Sequence, residues 1–166
     1  MAARALRPLP RRAAFLTLVA IPAAAQPVAD HKQGPYAHLT PLIGTSNPNA
    51  ILNDAAMRRS LAQLLGEPGY RLLTTNLQQA LPIAFDGTAL VLRGARAGAE
   101  REQEAFLSLR PRDGVMEVAI LTAGRVRLTS QRATGEHSEM LDPQLARWGV
   151  SRGTPLDERR VPPSAR

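Results

Sequence analysis

A chain of 166 residues, 44% of them hydrophobic and none of them cysteine, can form one domain around one core. It has no disulfide, thiol nucleophile or thiolate metal site. The formal charge of +7 falls to +3 once Arg4, Arg7, Arg11 and Arg12 are set apart, and residues 26–150 carry 13 basic and 12 acidic groups. That near-neutral body lacks the electrostatic footprint of a nucleic-acid binder.

Those four arginines precede the apolar run Ala13–Ile21, and Ala23 and Ala25 put small residues at the positions a signal peptidase reads before Gln26. The pattern predicts a signal peptide over residues 1–25, exported by the Sec or the twin-arginine route, and a bacterial periplasmic or secreted location. Pro22 breaks the apolar run well short of the roughly 20 residues a spanning helix needs, so no stable membrane insertion is expected after cleavage. Residues 26–50 hold four prolines and two glycines without an apolar period, and read as an extended arm.

Asn53 caps a helix in this reading, with Leu52 and Met57 stapling its start. Met57, Leu61, Leu64 and Leu65 form its stripe, and Gly66 and Pro68 end it. Tyr70, Leu73 and Leu77 mark a second helix. From Pro82 the period becomes alternating, predicting strands near Ile83–Phe85, Thr88–Arg93, Glu104–Arg110, Val115–Leu121 and Arg125–Ser130. One-sided alternation implies an antiparallel meander of about five strands with one wet face, the other covered by the two helices. Asp142-Pro143 opens a short closing helix that carries Leu145 and Trp148 and stops at Gly149. The fold class is thus α+β, one domain over residues 51–150. The charged, Pro-containing stretch 151–166 reads as a disordered tail.

Candidate chemistry is sparse. His31 and His38 lack metal-ligand spacing, and Ser60, Ser108 and Ser130 lack a nucleophile elbow, so neither a metal nor a cofactor is expected. Glu100, Glu102 and Glu104 alternate as on a solvated strand face. The stretch Gly94–Glu102 is longer than a hairpin requires, with Gly94 and Gly98 giving backbone freedom. Arg96 and Arg101 supply guanidinium forks, and Glu100 and Glu102 supply acceptors. These four are the candidate binding residues.

The layout from Leu52 to Ser130 combines a capped Leu-rich helix, a polar inter-strand loop and an antiparallel meander on an exported chain. It resembles the Ivy-type periplasmic inhibitors of vertebrate lysozyme. The resemblance implies a non-enzymatic fold that binds a protein. In that family the loop carries Cys-Lys-Pro-His-Asp-Cys, with a disulfide bracing it and its His entering the lysozyme cleft. The matching place here, Gly94–Glu102, has no His, Pro or Cys, so no inhibitory residue carries over. Read together, the sequence points to an exported, non-enzymatic domain binding a protein or envelope component. The alternatives are a small hydrolase using His137 with nearby carboxylates such as Glu136 or Glu139, or a structural accessory protein.

Overall fold

The structure, a computed structural model, describes residues 32–150 and 155–163. The expected signal peptide, its cleavage site at Ala23, Ala25 and Gln26, and His31 lie outside the described residues.

The fold is α+β. Seven strands form one sheet: β1 (Gln79–Ala80), β2 (Ala84–Phe85), β3 (Leu90–Ala95), β4 (Gln103–Leu109), β5 (Met116–Thr122), β6 (Arg125–Ser130) and β7 (Leu156–Arg160). Their order is β1-β3-β4-β5-β6-β7, with β2 sharing the outer edge of β3. Every ladder is antiparallel except β6–β7, which is parallel. The expected meander is β2 to β6; β1 and β7 extend it from about five strands to seven.

Helix α2 (Ala55–Asn76) lies over one face of the sheet, against β3, β4 and β5. Asp54, not Asn53, caps it: Asp54 Oδ1 accepts from the Ala56 and Met57 amides, both at 3.0 Å, while Asn53 closes the preceding α1 (Pro48–Leu52). Burial pushes the Asp54 carboxyl up, but the Met57 amide, His38 and the Ala56 amide together hold it below the usual carboxylate range. Gly66, at φ 71° and ψ 163°, kinks α2 into two segments, which is why its two stripes read as separate helices. Met57, Leu61, Leu64, Tyr70 and Leu73 bury against Leu90, Leu92, Leu107, Leu109, Val118 and Ile120 of the sheet, whereas Leu65 is only half-buried.

The opposite face is not wet. Val91, Phe106, Ala119, Leu121, Val126 and Leu128 form a second core under Leu141 and Trp148. The cover is α3 (Leu141–Arg147) with its C-cap Trp148, and Gly149 at φ 77° ends it. Register explains the error: Leu128 pairs with Ala119 and Ala119 with Phe106, so the inward side chains of β6 point to α3 rather than to α2. Met140 occupies the N-cap, so Asp142 falls in the first turn, where its charge suits the helix dipole.

Two segments outside the expected domain are ordered into it. The supposed arm forms a 3₁₀ helix, Ala37–Leu42, and α1, and it buries Tyr36 and Leu39; Tyr36 Oη hydrogen-bonds Ser60 Oγ at 2.8 Å. The supposed disordered tail contributes β7, held on β6 by main-chain pairing that a charge-rich sequence does not advertise. Among the described residues no helix is long and apolar enough to cross a membrane.

Candidate functional site

The loop joining β3 to β4 is Arg96–Glu102. Gly94 and Ala95 belong to β3, so Gly94 is not a loop hinge. It lets β1 approach: a Cβ there would meet Gln79 O at 2.8 Å and Ala80 Cα at 3.0 Å. Past Ala95 the loop closes on itself. The Arg96 amide donates to Gln103 O at 2.9 Å, the Ala99 amide to Arg96 O at 3.0 Å, and the Gln103 amide to Ala99 O at 2.9 Å. Gly98 takes the turn at φ 76°.

The four candidate residues share this exposed loop but not one role. Arg96 Nη1 donates to Gln103 Oε1 at 3.1 Å, which fixes its stem direction. Glu100 turns back, its Oε1 accepting from the Gly98 amide at 2.9 Å. Hydrogen bonds from its own amide, from Gly98 and from Gln79 hold its carboxyl below the usual range. Arg101 and Glu102 make no side-chain hydrogen bond or ion pair among the described residues and face solvent. The loop therefore has a braced frame and an uncommitted tip.

Glu104 follows the loop directly and departs from expectation. It is 5% exposed and not part of a solvated face with Glu100 and Glu102. Its Oε2 accepts from Arg147 Nη2 at 2.6 Å, Trp148 Nε1 at 3.0 Å and Gln144 Nε2 at 3.3 Å, all from the end of α3. Its carbonyl accepts from Asn76 Nδ2 at 3.3 Å, and the same amide donates to Leu121 O at 3.2 Å. The root of the loop is thus pinned by α2 on one face and α3 on the other. The sequence carried one faint signal for this, a Trp and an Arg side by side after an apolar stripe.

A second buried carboxylate, Glu117 on β5, holds His137, the imidazole of the hydrolase reading. His137 Nδ1 donates to Glu117 Oε1 at 2.7 Å and Ser130 Oγ donates to the same atom at 3.2 Å. The Ser138 amide donates to Oε2 at 2.9 Å. Ser138 Oγ donates to Asp86 Oδ2 at 2.7 Å. Burial pushes the Asp86 carboxyl up, and bonds from Ser138, Thr88 and Ala89 outweigh it, leaving Asp86 below the usual range. Neither Glu136 nor Glu139 pairs with the imidazole, and both serine hydroxyls donate to carboxylates, so the ring contacts a carboxylate and a guanidinium rather than a hydroxyl. His38 lies 3.0 Å from Asp54 Oδ2, and no group of three metal-ligating side chains gathers among the described residues.

The family described as Inhibitor of vertebrate lysozyme (Ivy) matches residues 56–148. The chain belongs to the Ivy family. The matched span runs from the first turn of α2 to Trp148, taking in the loop, both pinned carboxylates and α3; α1 and β7 lie outside it. No curated protein and no solved structure matched the chain.

Proposed function

We propose that this Ivy-family chain is an exported, periplasmic, non-enzymatic protein that captures a protein partner on its β3–β4 loop. The observation that carries this is the loop's division of labour: its backbone and root are fixed, while Arg101 and Glu102 at its tip are uncommitted. A fixed frame limits the entropy lost on docking. The chemistry differs from the family's His-bearing loop. Arg96 and Arg101 offer guanidinium forks that pair bidentately with carboxylates, and Glu100 and Glu102 accept donors at the margin. A glycosidase cleft, with two carboxyl groups about 5 Å apart in retaining enzymes, is a fitting receptor for such a fork. A lysozyme is therefore the first partner to test.

The experiment titrates the mature chain, beginning at Gln26, against vertebrate lysozyme by calorimetry and by lysis assay, with an envelope-extract pull-down alongside. The Arg96→Ala, Arg101→Ala double variant should keep its fold and lose the partner, because exposed loop substitutions change stability by less than about 0.5 kcal/mol. Lysine at both positions should restore little. A double-Ala protein that keeps every parental partner at equal strength would overturn the loop's role.

A further inference from the structure

A cavity of about 580 Å³ is lined by Arg110, Arg112 and Arg132 together with Asp113, Glu136 and Glu139, a balance that selects no ligand charge. The polar cluster at its wall does something else: it holds the C-terminal strand. Arg160, the least exposed residue of β7, donates through Nη1 to Ala133 O at 2.9 Å and Arg132 O at 3.2 Å, and its guanidinium pairs with Glu158. Its Nη2 lies 3.3 Å from His137 Nε2. The next amide, Val161, donates to Ser130 O at 2.9 Å.

A guanidinium only donates, so a hydrogen bond from Arg160 makes Nε2 the acceptor and the ring the neutral tautomer, with its one N–H on Nδ1 directed at Glu117. Protonation would place an N–H on Nε2 against the Arg160 donors and a positive charge beside another. The bond to Glu117, whose side chain is fully buried, would meanwhile strengthen. The network in the sheet would persist and only β7 would lose a partner.

We propose that Leu156–Val161 is a pH-released strap, latched onto β6 by neutral His137 through Arg160 and loosened when the imidazole is protonated. The charged groups facing the ring are Glu117 from β5, Arg132 just past β6 with its Nε 3.6 Å from Glu117, and Arg160 from β7. Glu136 and Glu139 flank it in its own loop, Asp86 reaches only Ser138, and Arg110, Arg112 and Asp113 stand across the cavity. Release uncovers the edge of β6 from Val126 to Ser130.

The test is amide hydrogen exchange on the full mature chain at about pH 7.5 and about pH 5, with rates corrected for intrinsic pH dependence. Protection across β7 and at Val161 should fall about tenfold or more at the lower pH, the effect of losing a charge-assisted hydrogen bond, while β4 and β5 hold theirs. His137→Gln, which donates and accepts without titrating, should abolish the pH response. Arg160→Ala should leave β7 weakly protected at both pH values, with β4 and β5 unchanged. The latch is refuted by any of three results: β7 protection that does not change with pH, an equal fall in His137→Gln, or parental protection of β7 in Arg160→Ala at neutral pH.

Discussion

Replacing Glu104 by Ala tests whether the root of the β3–β4 loop is held as the structure indicates. The substitution removes the acceptor shared by Arg147, Trp148 and Gln144. Arg147, whose side chain is 56% exposed, turns back to water, so its share is small. Gln144 and Trp148 are buried, and each loses its hydrogen bond to the carboxylate. At about 1–3 kcal/mol for each buried bond lost to the carboxylate, the two together come to about 2–6 kcal/mol. Urea unfolding at neutral pH, followed by far-UV circular dichroism and by the fluorescence of the single tryptophan, should show a midpoint lower by about 1 M or more for an m-value near 2 kcal/mol/M. Glu104→Gln, which keeps an acceptor oxygen but not the charge, should fall between parent and Ala. A Glu104→Ala unfolding free energy within about 0.5 kcal/mol of the parent would mean that α3 docks through Leu141 and the indole ring alone.

Gly94→Val should cost about 1–3 kcal/mol by forcing β1 away from β3, and the exchange of the Leu81 amide, which donates to Arg93 O at 2.8 Å, should report it first. A carboxyl held below its unfolded value stabilises the fold above that value, about 3.9 for Asp, and the contribution fades as pH falls through the folded value. Asp86→Asn should therefore melt below the parent at neutral pH, with the gap closing towards about pH 2; a gap constant across that range would contradict the assigned bonds.

Much of the chain was legible because alternation and caps are local. The five meander strands fall where Asp86-Gly87, Asp113-Gly114 and Ala123-Gly124 punctuate the sequence, and Gly149 ends α3 as expected. What local pattern cannot give is which face of a strand meets which helix. Val126 and Leu128 alternate correctly, yet their partners in space are Trp148 and Leu141, set by register four strands deep. Glu104 reads as solvated for the same reason: its burial depends on donors some forty residues away in α3. The loop was legible as an excess of length and charge, though two of its supposed residues proved to be strand, because Gly94 serves a backbone contact that no spacing rule reveals.

The two margins of the sheet guard against polymerisation by different means. On one side the partners of β3 are broken into two-residue pieces around Leu81-Pro82, and proline offers no donor, so an incoming chain finds no continuous ladder to extend. On the other, the outermost strand reads Leu-Asp-Glu-Arg-Arg, and three of its four exposed positions carry charges, of both signs, beside apolar Val126 and Leu128. A seven-stranded sheet with a dry interior on both faces would otherwise template fibres at its rim. Concentrated solutions of this protein should stay monodisperse for as long as that outer strand remains seated.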